Sequence, residues 1–198
     1  MTIRWMAVAA WALGWAATGM AQTDPAKLTL DRIFVSADFR SGGDHGGQWL
    51  EAGTLARGAP SATTKNFSDI VTEDAATGNK KVLVAAEKLV PEGAKEPLKI
   101  SGFSLSKNRD AVLISTNTAR VWRRDTRGDY WLFAISSGKL HKLGGDAKPS
   151  SLQFAKFSPD GKTVGYVREN NIWVEQVDGQ GKPARLTSDG TTSAEGEI

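Results

Sequence analysis

The chain has 198 residues, 40% hydrophobic and 24% charged, which suits an ordinary globular domain with a sizeable core. Its net charge of +3 comes from 25 basic and 22 acidic residues, scattered too evenly for a nucleic-acid-binding surface. There is no cysteine, which excludes disulfides, thiol chemistry, cysteine metal sites and a lipid-anchored lipoprotein.

The first predicted element is an export signal. Arg4 precedes an uncharged apolar run from Trp5 to Ala17, and Gly19-Met20-Ala21 offers small residues for cleavage before Gln22. The run is short of the ~20 residues that span a bilayer as a helix. Cleavage and a periplasmic or secreted product, with no membrane contact in the mature form, are the expectation. An uncleaved anchor is the alternative. Leu28 to Phe34 reads as a short helix with Thr29 near its start. A glycine-rich loop follows over Ser41 to Gly47, and Gln48-Trp49-Leu50 begins the first strand.

Phe67 to Thr72 and Lys81 to Ala85 read as a hairpin around the turn-forming run Asp74 to Asn79. Residues 86–98 carry Pro91, Gly93 and Pro97 and read as a connector. A second unit places strands at Ile100 to Ser104, Ala111 to Ser115, Arg120 to Arg123, Tyr130 to Ile135 and Leu140 to Leu143. A third unit starts at Leu152-Gln153-Phe154. Its Phe157-Ser158-Pro159-Asp160-Gly161-Lys162 run predicts a tight turn, with φ pre-set at Pro159 and positive at Gly161. Residues 163–168 alternate with period two, and Asn170-Asn171 turns the chain into Ile172-Trp173-Val174.

Phe103-Ser104 and Phe157-Ser158 recur 54 residues apart, with extra length around residues 116–129. A blade-sized repeat of short strands predicts an all-β fold: a partial β-propeller of about three blades, the first degraded. A closed ring needs at least about four blades, so a fragment of something larger is expected. The expected organisation is a signal peptide (1–21), an N-terminal arm with the glycine-rich loop (22–47) and an incomplete propeller domain (48–198).

Catalytic candidates are few. Gly102-Phe103-Ser104-Leu105-Ser106 lacks the second glycine of a nucleophile elbow, and His141 is the sole histidine after it. Asp44-His45-Gly46-Gly47 has the look of an oxyanion-hole loop with no elbow to serve. Two isolated histidines make no metal cluster, and no phosphate loop is present, so no metal or cofactor is expected. Glu195 and Glu197 read as a solvated tail. Arg123 stands out, at a strand end beside the extra length. It is either a carbonyl- or carboxylate-binding guanidinium or a surface arginine paired with Asp125 or Asp129.

From Leu28 to about Gly190 the sequence resembles the N-terminal propeller of the dipeptidyl peptidase IV family, within the prolyl oligopeptidase group of serine peptidases. The resemblance is carried by Leu28 to Phe34, by Trp122-Arg123 with Asp129-Tyr130 downstream, and by Phe157 to Lys162. It continues through Asn170 to Val174 and Arg185 to Gly190. It implies an eight-bladed propeller followed by an α/β-hydrolase domain whose Ser-Asp-His triad releases Xaa-Pro or Xaa-Ala dipeptides from a free N-terminus. It also implies that Arg123 binds a backbone carbonyl of the peptide substrate, and that the intact enzyme can form a homodimer.

The family's glutamate pair follows a Trp-Val-Tyr run that this chain lacks, so Glu195 and Glu197 are not assigned that role. Ser104 to Asn108 and Arg124-Asp125 depart from the family pattern. With no triad, the chain alone is expected to be inactive. A non-catalytic periplasmic propeller serving as a protein-binding platform is the alternative function.

Overall fold

The computed structural model describes residues 27–39, 47–121 and 123–191. The expected signal peptide, the glycine-rich loop up to Gly46, Trp122 and the two terminal glutamates lie outside the described residues. The chain divides into two compact units, Met1–Gly42 and Gly43–Ile198.

Among the described residues of the first unit there is one helix, α1 (Leu30–Phe34), where the sequence places it. Thr29 caps it: its side-chain oxygen accepts from the Arg32 amide at 3.2 Å, satisfying one of the free donors of the first turn. The helix buries no residue, and an ion pair at 2.8 Å joins Arg32 to Asp38 just past its end.

The second unit is a succession of antiparallel strands. β1 (Gly47–Trp49), β2 (Thr54–Pro60), β3 (Ser68–Asp74) and β4 (Lys80–Val84) form a meander in chain order. β5 (Gly102–Leu105), β6 (Ala111–Val121), β7 (Arg124–Ala134) and β8 (Leu140–Lys142) form a second. β9 (Leu152–Phe157), β10 (Thr163–Arg168), β11 (Asn171–Gln176) and β12 (Ala184–Arg185) form a third. β7 of the second also pairs with β9 of the third at two positions, Arg127 with Gln153 and Gly128 with Leu152. Three four-stranded meanders stacked in sequence are the blades of a partial β-propeller.

The first blade is complete rather than degraded. Its second strand, Thr-Leu-Ala-Arg-Gly-Ala-Pro, has little intrinsic strand preference. Seven consecutive pairings with β3 hold it, and its Ala56 is fully buried.

One backbone pattern recurs three times. The amide of Leu50, Ser106 or Ser158 donates to the carbonyl of Thr54, Ala111 or Thr163. The amide of Ala75, Ile135 or Val177 then donates to the carbonyl of Gly53, Asp110 or Lys162. Ser106 is therefore the counterpart of Ser158, and the true repeat is 52 residues rather than the 54 suggested by matching Phe103 to Phe157. Arg109 (φ 59°) and Gly161 (φ 73°) occupy the same turn position. The third blade turns between β10 and β11 at Glu169 and Asn170, both with positive φ, so Asn171 already belongs to β11.

The middle blade is apolar on both faces because both are covered. Val112, Ile114 and Phe133 pack with Ala56, Ile70, Val84 and Leu89 of the first blade and its connector. Leu113 and Leu132, facing the other way, pack with Leu152, Val164 and Tyr166 of the third. Alternate strand residues point to opposite faces, so the unbroken run Ala111-Val112-Leu113-Ile114 serves two cores at once. Gln48 adds a polar tie between blades, its side-chain oxygen accepting from the Leu105 amide at 2.8 Å.

Candidate functional site

The residues that would have made chemistry are used structurally. The Ser106 hydroxyl donates to Asp110 at 2.5 Å and organises the β5–β6 turn, while Ser104 lies within β5. His141 sits on β8, paired with Leu132. Among the described residues, no group of three or more histidines and acids could hold a metal ion.

Arg123 lies elsewhere. Strands β6 and β7 run on together past the body of their blade, and the last pair is Val121 with Arg124. Arg123 is thus in the turn at the tip of a long hairpin, and it is exposed. The extra length read at residues 116–129 does not leave the sheet as a loop. It continues the ladder, with register shifts on either side of Ala119. The third blade makes the equivalent connection with the short turn at Glu169-Asn170.

At the foot of the hairpin the chain is pinned. Thr116 opposite Asp129 is the last regular pair. Asp129 is buried, and its carboxylate accepts from Asn117 Nδ2 at 3.0 Å, from the Ser150 amide at 3.1 Å and from Lys142 Nζ at 3.0 Å. The Ser150 hydroxyl donates to the Asn117 carbonyl at 2.6 Å. Asn117 and Ser150 both take left-handed backbone (φ 46° and 54°), bending their segments toward the carboxylate. A buried carboxylate is tolerated because three donors, one of them cationic, surround it. Asp129, one of the two acids named with Arg123 in the sequence, is thus engaged at the far end of the hairpin. The Asp125 side chain lies outside the described residues.

Beside the hairpin base is a cleft of about 270 Å³, lined by Phe103, Ser104, Leu113, Ser115, Tyr130 and Ala155 among others. Burial pushes the Tyr130 phenol up, opposed by the amides of Ala155 and Phe154 that point at its oxygen. Those amides are turned there by a bulge: Phe154 has φ 55°, and the β9–β10 register shifts between Gly165 and Val167.

Residues 106–196 match the family model of the dipeptidyl peptidase IV (DPP IV) N-terminal region. That stretch is similar to the DPP IV N-terminal region. A probable dipeptidyl-aminopeptidase B of Colletotrichum graminicola is 27% identical over 175 residues, covering 82% of this chain and 19% of that protein. The human prolyl endopeptidase FAP is 29% identical over 90 residues, covering 46% of this chain and 11% of that protein. The crystal structure of Porphyromonas gingivalis dipeptidyl peptidase 4 superposes with a TM-score of 0.63 at 22% identity, over 81% of this chain and 21% of that one. The chain therefore spans about a fifth of the length of the Colletotrichum graminicola and Porphyromonas gingivalis relatives, and its propeller-type fold is shared with the peptidase 4 structure.

The Asn117–Asp129–Lys142–Ser150 cluster escaped the sequence reading. Its members are spread over 34 positions and meet only where a hairpin, an outer strand and a blade connector converge.

Proposed function

We propose that this chain supplies the N-terminal propeller of an exported serine dipeptidyl peptidase, and that its second blade orients the bound peptide. In this reading the intact protein continues into an α/β-hydrolase domain, where nucleophilic acyl transfer takes place. The propeller limits access by size. Arg123 donates paired hydrogen bonds to a backbone carbonyl of a peptide with a free N-terminus. The apolar segment at residues 5–17 directs export to the periplasm or beyond.

The observation that carries this reading is the placement of Arg123. It stands at the tip of a hairpin lengthened well beyond its counterpart in the next blade, and the hairpin is anchored at its base by a buried carboxylate. An arginine at such a tip offers the planar fork of donors that recognition of a carbonyl uses. The extension is also rich in arginine, with Arg120, Arg123, Arg124 and Arg127 against Asp125 and Asp129, which favours an electron-rich partner.

The test uses the complete product of the gene. It should release Xaa-Pro dipeptides from a chromogenic substrate with a free amino terminus and ignore the N-blocked analogue. Arg123→Ala should lower kcat/KM by roughly 10- to 100-fold, the worth of one charge-assisted interaction to the substrate. Absence of turnover, or a variant indistinguishable from the parent, would overturn the assignment.

A further inference from the structure

We infer that Asp129 is the positioning residue that sets the direction in which the β6–β7 hairpin carries Arg123. For its functional meaning this rests on the role proposed for Arg123. Its structural content stands independently.

Asp129 occupies the one point where the hairpin changes character. On the blade side of it, β6 and β7 form a regular ladder from Ala111–Ala134 to Thr116–Asp129. Beyond it the register shifts, and β7 begins to pair with β9 as well as β6. Roughly 17 Å of strand separates Asp129 from the tip, so a small change of angle at its base moves the guanidinium by several ångströms.

The carboxylate ties three separate parts of the chain to that point. Asn117 belongs to the outgoing hairpin strand, Lys142 to the outer strand β8, and Ser150 to the connector that enters the third blade. Asn117 and Ser150 are further joined to each other by the Ser150 hydroxyl. Only 8% of Asp129 is exposed, so these bonds are weakly screened and replacement by solvent is incomplete. No neighbouring acid duplicates this arrangement among the described contacts. Asp110, the other acid of the blade bonded within a turn, serves the opposite end of β6.

The experiment has two arms. Hydrogen exchange is measured on the whole 198-residue chain for the parent, Asp129→Ala and the isosteric Asp129→Asn. In Asp129→Ala, amides of residues 118–128 and 150–153 should exchange on the order of tenfold faster, while those of β3 and β10 keep their protection. Asp129→Asn retains the acceptor for Ser150 but loses the charge facing Lys142, and should fall between the two; it decides the matter if the alanine variant does not fold. Unchanged exchange at 118–128, or acceleration spread equally over all three blades, would overturn the inference.

In the second arm the complete gene product is assayed. Asp129→Ala should lower kcat/KM, and adding it to Arg123→Ala should cost nothing more, because both changes remove the same contact. Additive losses would overturn a positioning role. If Arg123→Ala is silent while the hairpin loosens in Asp129→Ala, the proposed function falls and the structural inference stands. If Arg123→Ala costs activity and Asp129→Ala changes neither exchange nor kinetics, the inference falls alone.

Discussion

Arg168 grips the main chain of Gly144 across the joint between the second and third blades, with Nη1 2.9 Å from the carbonyl oxygen. The amide of the same glycine donates to Glu175 Oε1 at 2.7 Å, so both polar groups of Gly144 are held by side chains of the third blade. Glu175 also accepts from the Tyr166 hydroxyl at 2.7 Å, and burial together with that carboxylate pushes the phenol up. The guanidinium lies 5.2 Å from the Trp173 ring and reaches Asp146 at 2.9 Å. This clasp closes a connector that would otherwise bury an unpaired peptide.

Arg168→Leu should therefore lower stability by about 2 kcal/mol, the worth of a charge-assisted bond to a buried carbonyl, read from the urea midpoint. Gly144→Ala attacks the same joint from the backbone side. Gly144 has φ 84°, and a Cβ there would meet Leu152 Cδ1 at 2.8 Å. Strain and overpacking together should cost about 2–4 kcal/mol. A midpoint unmoved in both variants would show that the joint does not depend on the clasp.

The first-turn positions of the second and third blades differ in one respect that can be exploited. Arg109 holds φ 59° where its counterpart is a glycine. Its ion pair with Glu51 spans 3.7 Å between exposed side chains and contributes little. Arg109→Gly should raise stability by about 0.5–1 kcal/mol by relieving left-handed strain, visible as a higher thermal midpoint. A lower midpoint would mean that the arginine makes contacts worth more than its strain.

His141 links acidity to the same joint. It packs beside Gly179 of the third blade, and its buried Nε2 finds no hydrogen-bond partner among the described residues. Burial lowers its pKa from the usual 6.5, with Glu175 and Asp178 pulling upward and Lys139 downward. A base whose folded-state pKa is depressed contributes stability that is complete above its unfolded value and drains away as pH falls through the folded one. Stability should therefore decline on acidification from about pH 6.5, by a fraction of the ~1.4 kcal/mol per pH unit that one proton allows. Replacing the imidazole in His141→Gln should flatten that part of the pH profile. A slope that persists unchanged would assign it to other groups.

Much of this fold was legible because its signals are local. The Ser158-Pro159-Asp160-Gly161 turn, the period-two alternation of β10 and the Thr29 cap depend on residues adjacent in the chain, and each sits where the sequence places it. β2 was not legible, since Thr54 to Pro60 becomes a strand only by pairing with β3 and burying Ala56 against another blade. The repeat was read two residues out of step because two phenylalanines at different depths of their strands were matched. The backbone bonds of Ser106 and Ser158 correct it.

For Arg123, the sequence determined the residue and the insertion beside it, and resemblance suggested a role. Only the tertiary structure decided that the insertion is a hairpin bonded at its base to other parts of the chain. Its root is a carboxylate surrounded by donors from positions 117, 142 and 150, and no local pattern can announce a site whose parts become neighbours only when blades stack. Turn and strand preferences are properties of a few consecutive residues, whereas the burial that makes Asp129 matter belongs to the assembled sheets.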